Sequence, residues 1–132
     1  PEPAVMESGR PILVVPNAGD LEPTPRHVTI AWNGKREATR AAFDAIPIAA
    51  KAGHASIVWI DPRIGSTGVG DLPCSELAAT YARHGIKAEA RTARAEDSNV
   101  ASALAEELGR SGSGLLVMGA YGHSRLRELI LG

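Results

Sequence analysis

Apolar and polar positions follow two different periods along the chain, and their alternation predicts strands separated by helices. The runs 28–32, 57–60, 86–91 and 115–118 are short and either apolar or strictly alternating, as in β-strands. Between them, apolar residues recur every three or four positions, as on one face of a helix. The order β-α-β-α-β-α-β predicts an α/β fold. We expect an open, mostly parallel, twisted sheet with helices on both faces, in three layers.

Proline and capping residues refine the predicted boundaries. Pro47 lies inside the first helical stripe and should kink or shorten that helix. The second helix is expected to begin at Asp71 or Leu72, and the third is expected to have Asp97 or Ser98 as its N-cap. The last apolar run is the most hydrophobic of the chain and predicts a central strand.

Residues 1–26 stand outside this pattern. Their one apolar run, Ile12–Val15, lies between Pro11 and Pro16 and is followed by a polar linker. A strand this short needs a sheet to join. We therefore expect it to add to the edge of this domain's own sheet or to that of a partner.

Composition narrows the function class. A chain of 132 residues with 44% apolar and 22% charged residues fits one compact domain. Its net charge of −1 gives no electrostatic basis for binding nucleic acid or an anionic membrane. The single cysteine excludes a disulfide within the chain, and no apolar run approaches the roughly 20 residues that span a bilayer. We expect a cytoplasmic domain that binds neither nucleic acid nor membrane.

Two strand ends carry residues suited to binding an anion. Asn33-Gly34 follows the first strand, and Gly119 to Gly122 follows the last. Ligands of open parallel sheets bind beyond the carboxyl ends of the strands, and glycines let backbone N–H groups approach a phosphate. A helical stripe after Ser124 would add the positive end of its dipole. Glycines end strands in many proteins, so from the residues alone a phosphate site and an ordinary turn both remain open.

The segment from Val117 to Gly132 resembles the nucleotide loop of the universal stress protein family. The pattern of that family is Gly, two residues, Gly, nine residues, Gly, then Ser or Thr. Gly119, Gly122 and Gly132 match all three glycines and both spacings. Residues 30–34 resemble the first strand and turn of the family more loosely, and the likeness covers residues 27–132.

The resemblance implies a module that binds ATP or a related adenine nucleotide, with a divalent cation such as Mg²⁺, and that acts in regulation rather than catalysis. It also implies a homodimer or the pairing of tandem modules. By this resemblance, Ala31 and Asn33 would hold the adenine and ribose, and Trp59 would border the adenine. Met118 and Gly119 would lie under the ribose and phosphates. The residues that would line the phosphates are Gly122, His123 and Gly132.

Two departures from the family pattern leave a second function open. Asn33 stands where the family has an acidic residue, and the chain ends at Gly132, so we expect a domain over 27–132 that lacks its last helix and strand. Residues 1–26 resemble the end of a preceding module. The alternative function is a dimerisation or interaction module that binds no nucleotide. A phosphoacceptor signalling domain is disfavoured because the first strand lacks an acidic pair.

Several other residues have an ordinary structural interpretation. Cys74 is expected to be a small residue in a first helical turn, and Glu106-Glu107 should lie on a solvated helix face. For the two indoles, core packing is favoured over ligand stacking. Isolated histidines without metal-ligand spacing are expected at the surface. These indoles and histidines are Trp32, Trp59, His27, His54 and His84.

Overall fold

The computed structural model describes residues 9–15, 19–20, 23–60, 74–95 and 99–120. Within these residues it contains four strands and four helices in strict alternation, except that two helices follow the first strand. The elements are β1 (Val28–Ala31), α1 (Arg36–Asp44), α2 (Ile46–Ala52), β2 (His54–Ile60), α3 (Ser75–Arg83), β3 (Lys87–Ala93), α4 (Val100–Ser111) and β4 (Leu115–Val117).

The strands form one parallel sheet in the order β3-β2-β1-β4. This confirms the predicted parallel α/β architecture. The prediction that β4 is central is wrong for the described residues, where β4 is the outermost strand beside β1. Its residues are half-buried, and Leu115 and Val117 pack against the main core. The run is therefore hydrophobic because it packs against the core between sheet and helices, and not because it lies in the middle of the sheet.

One face of the sheet carries the main apolar core. Val28, Ile30 and Ile57 are fully buried there, and helices α1, α2 and α3 contribute small and aromatic side chains to the same cluster. Tyr81 of α3 is fully buried, and its hydroxyl donates a 2.6 Å hydrogen bond to the carbonyl of Ala42 in α1. The small residues of α1 let the helices approach the sheet closely.

Helix α4 covers the opposite face. The connection from β3 to β4 passes back across β2 and β1, and a right-handed crossover in that direction places its helix on the other side of the sheet. Glu107 of α4 accordingly binds Arg91, which neighbours Val58 rather than Ile57 in the register of the sheet. Helices thus lie on both faces, as predicted.

Two predicted helix boundaries change for identifiable reasons. The first helical stripe is broken at Ala45, and Pro47 lies in the first turn of α2, where its missing N–H is not needed. Helix α3 begins at Ser75 and not at residues 71–72, because Cys74 has a φ of 78° and is therefore left-handed rather than helical.

The N-cap of α4 also differs from the prediction. Asn99, rather than Asp97 or Ser98, precedes the helix, and its side-chain oxygen accepts a 3.1 Å hydrogen bond from the N–H of Ser102. Asparagine and aspartate are equally good caps, so the sequence alone does not choose between neighbouring cap residues. Residues 96–98 lie outside the described residues.

The N-terminal apolar run does not join the sheet. Residues 11–15 form no strand, and Ile12, Leu13, Val14 and Val15 are 42–66% exposed. The expectation that this run pairs with the edge of this chain's own sheet is therefore wrong for residues 11–15. A run of four apolar residues between prolines gains little from adding to an edge that offers it no deep burial. Its pairing with a partner chain stays a prediction.

Candidate functional site

Successive strands are added on one side of β1 and then on the other, and this change of side fixes the position of a crevice. β1 leads to β2 and β3 on one side, while β4 lies on the other side of β1, with Val28 beside Leu115 and Ile30 beside Val117. The residues that follow β1 and those that follow β4, as far as Ala120, therefore lie at the carboxyl edge of the sheet. Open α/β sheets bind ligands at such a switch point. The residues after β1 and those after β4 are brought together, as the sequence predicted.

Asn33 and Gly34 form a tight turn at one side of this crevice. The side-chain oxygen of Asn33 accepts a 2.9 Å hydrogen bond from the N–H of Lys35, which closes an Asx turn before α1. Gly34 has a φ of 73°, and a Cβ at this position would lie 3.4 Å from Cη2 of Trp59. The indole of Trp59, at the end of β2, therefore covers the turn.

Trp59 has two environments at once. Its side chain is half-buried and packs against the main core, and it also covers Gly34. Trp32 packs against the same core, and its backbone N–H donates to the carbonyl of Val58. Core packing is therefore correct for both indoles, while Trp59 in addition forms a wall of the crevice.

Gly119 joins the end of β4 to the first turn of α1. A Cβ on Gly119 would lie 2.8 Å from the backbone N of Ala38 and 2.8 Å from the backbone carbon of Glu37. Because these are backbone atoms, no rotamer change relieves the overlap. The absence of a side chain at Gly119 is thus a packing requirement of the fold, whatever its role toward a ligand. The first turn of α1 and the end of β4 are in direct contact.

The structure places five of the eight predicted binding residues around one edge of the sheet. All are half-buried at the ends of β1, β2 and β4. These residues are Ala31, Asn33, Trp59, Met118 and Gly119. The remaining three, Gly122, His123 and Gly132, lie outside the described residues, as does loop 63–70. The residues that would hold the adenine and lie under the ribose are therefore described, and the three that would line the phosphates are not.

Charged residues at the start of α1 extend the described part of the site. Lys35 and Arg36 are exposed directly after the Asn33-Gly34 turn, and half-buried Glu37 follows them. Basic residues at a helix N-terminus oppose the helix dipole, so helix stability does not explain them. No role was assigned to Lys35 and Arg36 from the sequence, although they directly follow the predicted turn.

A second polar cluster lies on the α4 face of the sheet. The guanidinium of Arg91 donates to both carboxylate oxygens of Glu107, at 2.9 and 3.4 Å, and Arg110 binds the same carboxylate at 3.3 Å. Arg110 also binds Glu89 at 3.1 Å. Glu107 is buried, so the expectation of a solvated Glu106-Glu107 pair is wrong for this residue. Arg110, three residues after Glu107, was the signal available in the sequence.

The ionisation of Glu107 follows from these contacts. Burial alone would raise the pKa of its carboxyl, but the hydrogen bonds and charges of Arg91 and Arg110 outweigh it and hold the pKa below the ordinary value. The group is thus a carboxylate at neutral pH, with both oxygens bound. Its partners and its position on α4 make it part of the scaffold.

The remaining candidate reactive groups are the histidines and the cysteine. His54 and His84 are exposed, as expected, whereas His27 is half-buried and its ring hydrogen-bonds to Ser56, so the expectation of a surface histidine is wrong there. Burial raises the pKa of the Cys74 thiol to about 12, and the thiol is unreactive at neutral pH. Within the described part of the chain, no three His, Cys, Asp or Glu residues are grouped to hold a metal ion.

Two solved structures resemble this chain over most of its length. A protein from the universal stress protein family from Burkholderia pseudomallei has a TM-score of 0.58 and 23% identity, with 80% of this chain and 88% of that one covered. The fold is that of a universal stress protein. The protein Rv1636 from Mycobacterium tuberculosis H37Rv has a TM-score of 0.56 and 21% identity, covering 83% of this chain and 82% of that one.

The other comparisons add no family assignment from sequence. No protein-family model matches the chain, and no curated protein matches it. The universal stress protein fold of this chain therefore rests on the structure. In the described ranges no helix is long and apolar enough to cross a membrane.

Proposed function

We propose that this chain is a regulatory module of the universal stress protein type that binds ATP or a related adenine nucleotide, with Mg²⁺, at the carboxyl ends of β1 and β4. The observation that carries the proposal is the switch point, where Gly119 contacts the first turn of α1, which follows the Asn33-Gly34 turn. The glycine pattern that begins at Gly119 then runs through Gly122 to Gly132.

The described residues fit the nucleoside half of such a ligand. The half-buried indole of Trp59 offers an apolar wall for a purine beside the turn. Exposed Lys35 and Arg36 offer positive charge to phosphates at the same edge, in a chain whose net charge of −1 gives no general attraction. Gly122, His123 and Gly132 would line the phosphates.

Asn33 limits the strength of this binding. An amide carries no charge, and its oxygen already accepts the N–H of Lys35. A carboxylate has two acceptor oxygens and forms charge-assisted hydrogen bonds with a ribose hydroxyl. We therefore expect the affinity of this chain for ATP to be weak. We also expect its role to be regulatory rather than catalytic, since the amide of Asn33 cannot serve as a general base.

The second candidate is a universal stress-type interaction module without nucleotide. Two observations favour it: Asn33 serves the local turn, and the space beside the Cα of Gly119 is filled by α1. In either function we expect a cytoplasmic protein that forms a homodimer or pairs with a neighbouring module.

Calorimetric titration with ATP and Mg²⁺ separates the two candidates. The substitution Asn33→Asp keeps the Asx turn and adds a charged acceptor, so we expect ATP to bind roughly five- to tenfold more tightly than to the original chain. The matched control is Asn99→Asp, which makes the same change at the N-cap of α4, on the face of the sheet opposite α1, and preserves the cap. Its affinity should be unchanged. No heat from the original chain or from Asn33→Asp at millimolar ATP would favour the interaction module.

A further inference from the structure

His27 holds the starts of three strands together. It lies directly before β1, and Nε2 of its ring is 2.8 Å from the hydroxyl of Ser56 in β2. Its backbone carbonyl accepts hydrogen bonds from the N–H of Gly114, at 3.1 Å, and from the hydroxyl of Ser113, at 3.2 Å. Ser113 and Gly114 form the turn that leads into β4. One residue thus fastens β1 to β2 through its side chain and to the start of β4 through its backbone.

We propose that His27 is a pH-sensitive latch, which secures the β1, β2 and β4 starts while its imidazole is neutral and weakens when the ring is protonated. The latch lies at the amino-terminal edge of the sheet, opposite the candidate nucleotide site. It does not depend on nucleotide binding.

The contact with Ser56 depends on which partner donates. A neutral imidazole accepts or donates at Nε2, whereas an imidazolium only donates. Ser56 is 1% exposed, so water does not replace a lost partner. Once Nε2 must donate, the hydroxyl proton of Ser56 has to turn to Glu89, whose Oε1 lies 3.5 Å away, at the limit of a hydrogen bond. Protonation therefore leaves only one arrangement of these hydrogen bonds, and in it the bond from Ser56 to Glu89 is long.

The charges around His27 also disfavour the imidazolium. His54 of β2 and Arg110 of α4 face it as basic groups, and Glu89 of β3 is the acidic group that opposes them. The Glu89 carboxylate is shared with Arg110 at 3.1 Å and with Arg91 at 3.8 Å. Burial first, then the charge of His54, lower the pKa of His27; Glu89 raises it and Arg110 lowers it further.

The sign of the effect follows from this direction. Because the pKa of His27 is lower in the folded chain than in the unfolded chain, the unfolded state takes up the proton first as the pH falls. The stabilisation is complete above about pH 6.5 and is lost progressively below it. The pKa of Glu107 is lowered as well. Its contribution to stability therefore changes at a pH below the ordinary carboxyl range, separately from that of His27.

Thermal unfolding at pH 7.5 and pH 5.5 tests the latch. We expect the Tm of the original chain to fall between the two, and the fall to shrink to roughly half or less in His27→Gln, which keeps a hydrogen-bonding side chain but does not titrate. The control His84→Gln removes an exposed histidine at the end of α3 and should keep the full fall. An equal fall in all three proteins would overturn the proposal.

Two measurements on the unsubstituted chain keep the test valid if His27→Gln does not fold. An NMR titration should give His27 a pKa below the ordinary imidazole value of about 6.5, and a pKa at or above that value would refute the latch. Hydrogen exchange of the Gly114 amide, corrected for intrinsic chemistry, should accelerate relative to the amides of α3 between pH 7.5 and pH 5.5. Unchanged relative protection of Gly114 would show that the ring and the β4 turn are not coupled.

Discussion

On the face covered by α1, α2 and α3, the sheet presents Val28, Ile30 and Ile57, all fully buried, whereas on the α4 face neighbouring positions of the same strands carry Thr29 and Ser56. The first face is held by apolar burial, which is insensitive to pH. The second also buries Val58 and Leu104, and it adds hydrogen bonds and ion pairs whose strength depends on protonation. The stability contributed by one face of the sheet is therefore insensitive to pH, and that contributed by the other face depends on pH.

The largest expected effect lies on the apolar face. Ile57→Ala removes three carbons from a fully buried position and should lower the free energy of unfolding by about 3 kcal/mol, because the lost burial and the remaining cavity add. Urea unfolding measures this. The matched control is Ile48→Ala on α2, where the side chain is 41% exposed, and it should cost under about 1 kcal/mol. Similar losses at both positions would show that burial does not set the contribution of these side chains.

The next effect tests the polar face. Glu107→Gln removes the charge that Arg91 and Arg110 share and should cost about 1.5 kcal/mol at pH 7. Since the pKa of Glu107 is lowered, its stabilisation is present above the ordinary carboxyl pKa and is lost as the pH falls through the folded value. The variant should therefore show less acid destabilisation.

The control for that charge is its neighbour in the chain. Glu106→Gln makes the same change on the exposed side of α4 and should leave both the stability and its acid dependence nearly unchanged. If Glu106→Gln and Glu107→Gln behave alike in unfolding experiments across pH 3–7, the paired carboxylate is not what makes this face sensitive to acid.

The smallest effect has the opposite sign. The hydroxyl of Thr29 is fully buried and, within the described residues, has no hydrogen-bond partner. Thr29→Val replaces it with a methyl group of similar size and should raise the free energy of unfolding by about 1 kcal/mol. Thr39→Val is the comparison, because the Thr39 hydroxyl donates to the carbonyl of Lys35 at 2.9 Å and its loss should bring no gain. A gain in both, or in neither, would show that the buried hydroxyl of Thr29 costs nothing.

The two faces were not equally predictable from sequence. The periodicity of apolar residues identified the apolar face. A helix buries one stripe of residues and a strand buries every second residue, so both leave a regular pattern in the sequence. This periodicity also placed Asn33-Gly34 and Gly119 at one edge, since parallel strands end together. It missed His27 and Glu107, whose partners come from distant strands and so leave no local signal.

The candidate site was predictable in position but not in packing. The shared edge follows from the parallel direction of the strands, whereas the contact of Gly119 with the backbone of α1 depends on the exact approach of two elements. The same limit explains Cys74, whose left-handed conformation sets the start of α3 and appears in no sequence pattern.

Cys74 also gives the molecule a built-in reporter. It is the one cysteine among the 132 residues, its thiol is buried, and its raised pKa keeps the reactive thiolate scarce. A thiol reagent in solution therefore modifies the folded chain when the start of α3 opens, and the rate of modification rises with the population of the open form. Mass spectrometry follows this addition at a single position, because the chain has no other cysteine.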